Sequence, residues 1–174
     1  MAGVGVAARA SWSPPERAGP GRPPAGGTTR AEYHGLPIDS AHVVFVLDAS
    51  GSMREAAGEG TRWDLAVAEL ERAVDGLPDG AHVNVIVFQE RVRACFDGPR
   101  ELSKKVRKDL VSFARRVTPG EGGDLLGALR LALAQEAADT VFLLSDGAPS
   151  HGEMVDKGRV RSAIRARNRM AKKN

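Results

Sequence analysis

The sequence has little of several features that would assign it to a specialised class of protein. It contains one cysteine, Cys95, in 174 residues. A single cysteine cannot form an internal disulfide, so nothing indicates a disulfide-stabilised protein of an oxidising compartment. No apolar run approaches the roughly 18 residues of a membrane span, and the N-terminal stretch has no convincing signal peptide. We therefore expect a soluble, bacterial-type domain, with the cytoplasm as its default location.

Aromatic residues are also scarce, at 5% of the chain, and their scarcity argues against a nucleic-acid partner. The net charge is +3, but residues 157–174 contain eight lysines and arginines and no acidic residue. The basic character is therefore one terminal patch. Proteins that hold single-stranded nucleic acid place aromatic side chains among such charges, so that bases can stack on them. We expect instead the solvated face of a last helix and no nucleic-acid binding.

Composition divides the chain into two parts. Residues 1–35 are rich in proline and glycine and have few large apolar side chains, which is typical of a disordered leader. Residues 36–174 carry the apolar patterns of one globular domain. At its start, Leu36 and Ile38 flank a proline, and we expect this segment to dock against the sheet.

Buried strands and amphipathic helices alternate along the second part. The apolar run Val43–Leu47 lacks polar alternation, which is typical of a parallel strand covered on both faces. Residues 82–88 and 91–96, joined by a tight turn, predict a hairpin with an antiparallel edge strand. Residues 140–145 form another apolar strand, and helical spacing follows Thr61, Pro99 and Asp124. The pattern predicts a doubly wound α/β fold with a mostly parallel sheet and helices on both faces.

Polar residues follow two of these strands where each one ends. Asp48, Ser50 and Ser52 occupy alternate positions after the first strand, and Asp146 follows the last. Carboxyl ends of parallel strands meet at one edge, so these oxygens can converge on a hard cation such as Mg²⁺ or Mn²⁺. The alternative is that Ser50 and Ser52 only cap a turn.

The stretch VVFVLDASGSM, residues 43–53, resembles the D-x-S-x-S motif of von Willebrand factor type A (VWA) domains, the signature of their metal-ion-dependent adhesion site (MIDAS). VFLLSDGAPS resembles the later strand and aspartate loop, and the similarity covers about residues 41–170. It implies a Rossmann-like fold with Ser50 and Ser52 as direct ligands and Asp48 and Asp146 acting through water. An open coordination position would then take a carboxylate from a protein partner or from another domain of a larger assembly.

The resemblance also implies a rim around the cation and shows two departures from the family pattern. The rim residues are Gly51, Met53, Gly123 and Gly147. Gly123 stands where the family has a ligating threonine, and Asp124 beside it is either a replacement ligand or, the interpretation we favour, a helix N-cap. The family also continues beyond residue 174 into further strands. We therefore expect an incomplete domain in which strand 140–145 has an unpaired edge.

The function predicted from the sequence is a metal-dependent protein-binding module and not an enzyme. Two alternatives stay open. One is a degenerate domain that holds no metal. The other is a magnesium-dependent hydrolase resembling haloacid-dehalogenase-like phosphatases, with Asp48 as nucleophile, although such enzymes need an aspartate where this chain has Ser50. Cys95 is expected to be a packed thiol, and the four histidines lack metal-ligand spacing.

Overall fold

The computed structural model describes residues 6–7, 31–135 and 138–145. These residues form ten strands and three α-helices. The strands are β1 (Val6–Ala7), β2 (Glu32–Tyr33), β3 (Leu36–Pro37), β4 (His42–Asp48), β5 (Ala56–Ala57), β6 (Gly60–Thr61), β7 (His82–Phe88), β8 (Val92–Ala94), β9 (Arg100–Glu101) and β10 (Thr140–Leu144). The helices are α1 (Arg62–Gly76), α2 (Lys104–Arg115) and α3 (Leu125–Leu133), and a 3₁₀ helix spans Gly51–Arg54.

The central sheet is mostly parallel and is built around β4. β10 and β7 pair with β4 on its two sides, both in the parallel sense. β8 and β9 pair antiparallel with the other edge of β7. The chain thus moves from β4 to β7 on one side and later returns to β10 on the other. This reversal is the topology of a doubly wound α/β fold, and it confirms the predicted fold class and the antiparallel edge strand.

Helices cover both faces of the sheet. Both faces need cover because alternate apolar side chains of β4 point to opposite faces. Phe45 and Leu47 belong to the core under α1 and α2. Val44 and Val46 belong to the core under α3. All four side chains are fully buried, so the unbroken apolar run follows directly from a strand with two covered faces.

The helix ends follow local capping chemistry. Thr61 accepts a hydrogen bond from the backbone of Asp64 at 3.1 Å, and the Asp64 carboxylate accepts one from the backbone of Thr61 at 2.8 Å. This capping box confirms the predicted start of α1. The predicted start of α2 near Pro99 is wrong: Arg100–Glu101 pairs with β7, and Ser103 caps the helix instead. Pairing with the sheet outweighs helix propensity there.

The outer edge of β10 is not bare, contrary to the expectation from the sequence. β1 pairs with it in parallel, with Val6 opposite Val141 and Ala7 opposite Phe142. β1 lies inside the range predicted to be a disordered leader. The end of that range also differs from the prediction, since Tyr33 in β2 is 2% exposed. For residues 1–5 and 8–30, which lie outside the described part, the leader remains a prediction.

The hairpin of β2 and β3 docks against the domain through buried side chains. His34 and Gly35 have φ angles of 49° and 72°, so both turn residues lie in the left-handed region. Ile38 is buried, and Leu36 is half-buried against the same core as α1 and α2. This contact bears out the docking predicted for the segment that leads into β4.

Some predictions fall outside the described residues. They are the last basic helix over 157–174 and the site residues Asp146 and Gly147. Of the helices in the described part, none is long and apolar enough to cross a membrane.

Candidate functional site

The candidate site lies at the carboxyl edge of the sheet, where the order of strands reverses. Asp48 is the last residue of β4, and its side chain is only 4% exposed. Its Oδ1 atom accepts a hydrogen bond from the backbone N–H of Ser50 at 2.8 Å. Its Oδ2 atom accepts one from the hydroxyl of Ser145 at 2.7 Å. The carboxylate is therefore oriented by both neighbouring strand ends at the position where α/β folds form ligand sites.

The two motif serines converge beside this carboxylate. The Oγ atoms of Ser50 and Ser52 are 3.1 Å apart, and both residues are half-buried. The 3₁₀ helix makes this approach possible, because the backbone N–H of Met53 bonds to the carbonyl of Ser50 at 3.0 Å and closes a tight turn. The structure thus brings Asp48, Ser50 and Ser52 together, and the fourth predicted residue, Asp146, lies outside the described residues.

Met53 does not lie on a rim as predicted. Its side chain is 3% exposed and belongs to the core under α1 and α2. Burial of Met53 anchors the 3₁₀ helix, so its contribution to the site is the position of Ser50 and Ser52. The alternation of polar and small residues in the motif did not distinguish an inward methionine from an outward one.

A second loop, residues 118–124, packs on the same edge through backbone hydrogen bonds. Gly120 donates to the carbonyl of Ala49 at 2.9 Å, Glu90 to Glu121 at 3.0 Å, and Asp124 to Gln89 at 2.9 Å. Gly122 has a φ angle of 77°, a conformation that glycine adopts at little cost. The bonds bring the loop beside the motif residues.

The two glycines of the predicted rim that lie in the described part are close to this junction. A methyl group on Gly51 would lie 3.6 Å from the carbonyl oxygen of Gly120, which is ordinary contact. Gly123 is buried within the loop. On the outside, an exposed ion pair of 3.2 Å between Arg54 and Glu121 connects the 3₁₀ helix to the loop.

Asp124 acts as a helix cap, as the favoured interpretation predicted. Its Oδ1 atom accepts a hydrogen bond from the backbone N–H of Gly127 at 2.9 Å, at the first turn of α3. A carboxylate in this position also interacts favourably with the helix dipole. Its side chain is therefore engaged by the helix.

Two residues near the site were not singled out from the sequence. Ser145 directly precedes the predicted Asp146. Its position at the end of an apolar strand is the feature of the sequence that could have identified it. Gln89 follows β7, and its side chain lies against Gly120 of the loop, where an added methyl group would be 3.0 Å from Oε1. Only the packing of the loop on the sheet identifies Gln89.

The chemistry of the donor set suits a hard cation. Two hydroxyls and a buried carboxylate supply only oxygen, the ligand atom that Mg²⁺ and Mn²⁺ prefer. Histidine and cysteine are not involved. In the described residues there is no cluster of three or more histidine, cysteine, aspartate or glutamate side chains arranged for a metal. Cys95 is half-buried, and burial raises the pKa of its thiol, as expected for a packed residue of low reactivity.

Comparison with known proteins decides the family. A model of the von Willebrand factor type A domain matches residues 43–148, well over half of the 174 residues. The chain belongs to the VWA domain family. Domains of this family are generally protein-interaction modules. The matched range of this VWA domain begins at the apolar run of β4 and includes the motif serines, the loop 118–124 and β10.

One solved structure supports this VWA fold. A von Willebrand factor type A protein from Catenulispora acidiphila is similar with a TM-score of 0.57 and 23% identity, over 73% of this chain and 30% of that chain. The PilB minor pilin from Streptococcus sanguinis is similar with a TM-score of 0.46 and 17% identity, over 67% of this chain and 33% of that one. This VWA domain thus spans about a third of each of these proteins. A search of curated proteins finds no match.

Proposed function

We propose that this VWA domain is a metal-ion-dependent protein-binding module, which holds Mg²⁺ or Mn²⁺ and presents it to a carboxylate of a partner. The observation that carries the proposal is the 3.1 Å approach of the Ser50 and Ser52 hydroxyls beside the buried carboxylate of Asp48. The family supports a protein partner, and the oxygen donor set supports the cation.

The residues of the site would hold the cation in two ways, directly and through water. Ser50 and Ser52 would hold the cation through their Oγ atoms, and Asp48 would act through water, with Asp146 as a second carboxylate. When bound, the cation would supply the positive charge that attracts an acidic side chain. Neutral hydroxyl ligands leave much of that charge uncompensated, which favours a carboxylate from another protein or from a neighbouring domain.

Titration of the folded domain with Mn²⁺ by isothermal calorimetry tests the cation. We expect weak binding, and a loss of affinity of about tenfold or more in Ser50→Ala and in Ser52→Ala, a size typical of altered metal sites. Ser40→Ala is the matched control, because Ser40 lies at the opposite end of β4 and its hydroxyl bonds to the carbonyl of His42. Well-folded protein that releases no heat would support the degenerate alternative and contradict the proposal.

Capture of an acidic peptide tests the partner. An immobilised peptide with a single glutamate should retain the domain in Mg²⁺ and release it in EDTA, and the same peptide with glutamine should not retain it. Ser50→Ala should abolish the difference between the two peptides. Equal retention of both peptides in EDTA would show that binding does not use a cation.

The arrangement of Asp48 does not favour the phosphatase alternative. Both of its carboxylate oxygens accept hydrogen bonds, and the side chain is nearly inaccessible to substrate. A nucleophile must face the group that it attacks, and position 50 offers a serine where the general acid would be required. Assays with generic phosphate esters should therefore show no metal-dependent turnover. Turnover that disappears in Asp48→Asn would reverse this conclusion.

A further inference from the structure

The side chain of Gln89 is half-buried and lies against the loop 118–124. Gln89 follows β7, and the residue before it, Phe88, is paired with Asp48 across the two strands. The Gln89 amide lies against Gly120, and the backbone of Gly120 bonds to Ala49, the residue just before Ser50. Gln89 is therefore at the carboxyl edge of the sheet, beside the motif and beside the loop in which the family has its third ligand.

The amide oxygen of Gln89, like the hydroxyl of Tyr33, is a buried polar atom without a partner in the described residues. Oε1 is buried, and within residues 31–135 and 138–145 no group donates a hydrogen bond to it. A buried acceptor without a partner costs about 1–3 kcal/mol, and most buried polar atoms in proteins are paired with protein, water or an ion. A cation held by the motif at the same edge of the sheet would supply the partner that this oxygen lacks.

The two loop residues at the position of the family's threonine are poorly suited to be the third ligand. Gly123, at the position where the resemblance implies a threonine, has no side chain. The carboxylate of Asp124 caps α3 through Gly127. An amide oxygen, like a threonine hydroxyl, is a neutral oxygen donor that suits Mg²⁺ and Mn²⁺. Gln89 could therefore replace the threonine without changing the charge of the site.

We propose that Gln89 Oε1 is a ligand of the cation in this VWA domain and takes the role of the missing threonine. The inference rests on the proposed function, because it needs the cation at Ser50 and Ser52. It has a consequence for the partner: a neutral third ligand preserves the positive charge that attracts an external carboxylate, whereas an aspartate ligand would reduce it.

Mn²⁺ titration of two variants tests the role of the amide oxygen. Gln89→Met keeps the length of the side chain but removes the oxygen, and we expect affinity for Mn²⁺ to fall about tenfold. Gln89→Glu supplies an anionic oxygen, and we expect affinity to rise. Gln135→Met is the matched control. Gln135 is buried, and its side-chain nitrogen has no partner in the described residues, but its oxygen accepts a hydrogen bond from Asn84 in the core. Its affinity for Mn²⁺ should equal that of the unchanged protein.

Thermal unfolding in EDTA and in Mn²⁺ distinguishes a ligand from a residue with a purely structural role. Only substitution of a ligand should change the shift in Tm that Mn²⁺ causes. A buried glutamate without a cation destabilises the fold, so Gln89→Glu should have a lower Tm in EDTA. Because the cation binds only the native state, Mn²⁺ should then raise the Tm of Gln89→Glu by more than it raises that of the unchanged protein.

Two results would overturn the inference in distinguishable ways. If Ser50→Ala weakens Mn²⁺ binding but both Gln89 variants bind like the unchanged protein, Gln89 is not a ligand and the proposed function stands. If the unchanged protein binds no Mn²⁺, the proposed function and this inference both fail. Gly120→Ala adds a further check, because its methyl group must displace the Gln89 amide by a few tenths of an ångström and should weaken binding.

Discussion

The hydroxyl of Ser145 donates a 2.7 Å hydrogen bond to the carboxylate of Asp48 and joins the ends of β10 and β4. The two strands run parallel and meet where the chain reverses its direction across the sheet. The bond orients a buried carboxylate, and hydrogen bonds to charged groups contribute more than neutral ones, about 1.5–3 kcal/mol. The geometry of the site is thus coupled to the pairing of two strands that are distant in sequence.

We predict that Ser145→Ala lowers the free energy of unfolding by about 1–3 kcal/mol, because it removes a donor from a buried carboxylate. Urea denaturation in EDTA measures the effect without any contribution from a cation. Ser145→Thr keeps the hydroxyl and should recover most of the stability. Equal stability of the alanine variant and the unchanged protein would show that this bond does not support the sheet.

We predict that Asp124→Ala destabilises the domain by about 1 kcal/mol through loss of the α3 cap, whereas Asp124→Asn has little effect, because asparagine caps about as well. Affinity for Mn²⁺ should be unchanged in both variants. Urea denaturation measures the stability of each variant, and Mn²⁺ titration measures its affinity for the cation. Loss of Mn²⁺ binding in Asp124→Asn alone would show that the carboxylate is a ligand and not only a cap.

We predict that Gly123→Thr strengthens Mn²⁺ binding and metal-dependent capture of an acidic peptide, because it restores a hydroxyl at the position that the resemblance assigns to a ligand. Gly123→Val has almost the same shape without the hydroxyl and is the control. The gain should be largest in a Gln89→Met background, in which the proposed third ligand is absent. A valine variant that binds as tightly as the threonine variant would contradict a ligating role.

Glu69 connects α1 to the hairpin of β2 and β3. Its carboxylate accepts hydrogen bonds from the Arg72 guanidinium, the shorter at 2.7 Å, and from the backbone of His34. Burial works to raise the pKa of Glu69, but the bonds from Arg72 and His34 outweigh it and hold the pKa below its usual value. The folded state therefore binds this proton less readily than the unfolded state. The resulting stabilisation is present above the unfolded pKa of about 4.3 and is lost as the pH falls through the folded pKa.

We predict that Glu69→Gln is less stable than the unchanged protein at pH 7, by no more than about 1 kcal/mol because solvent weakens a partly exposed ion pair. The difference should shrink as the pH falls below the unfolded pKa of about 4.3 and disappear below the folded pKa. Urea denaturation between pH 7 and pH 3 measures it. Glu59→Gln, at an exposed position, should follow the unchanged protein throughout. A difference that persists unchanged at pH 3 would assign the effect to packing.

We predict that Tyr33→Phe leaves the stability unchanged or raises it. The Tyr33 ring packs edge-on against Phe45 and Phe142 at 4.8 and 5.6 Å, but its buried hydroxyl has no hydrogen-bond partner in the described part of the chain. Removing an unpaired polar atom relieves its desolvation cost. Tyr33→Ala should instead cost about 3–5 kcal/mol, because it leaves a cavity. Urea denaturation distinguishes the variants, and a marked loss of stability in Tyr33→Phe would reveal a partner for the hydroxyl.

The sequence alone was sufficient to predict the elements that depend on residues close together in the chain. The unbroken apolar run of β4 predicted a doubly covered strand, and Thr61 with Asp64 predicted the start of α1. Asp124 was correctly favoured as a cap because an N-cap depends on residues within one turn. The alternation of strands and helices then restricted the fold to a doubly wound sheet, and this sheet edge necessarily gathered Asp48, Ser50 and Ser52.

Only the tertiary structure decided which residues from distant parts of the chain lie at the same edge as Asp48, Ser50 and Ser52. Ser145 reaches Asp48 through the register of β10 on β4, and Gln89 meets Gly120 because the loop 118–124 packs on the sheet. Met53 turned inward, and Arg100–Glu101 paired with β7 instead of starting a helix. Local patterns do not encode these outcomes, because each depends on the free energy of packing between residues that are far apart along the chain.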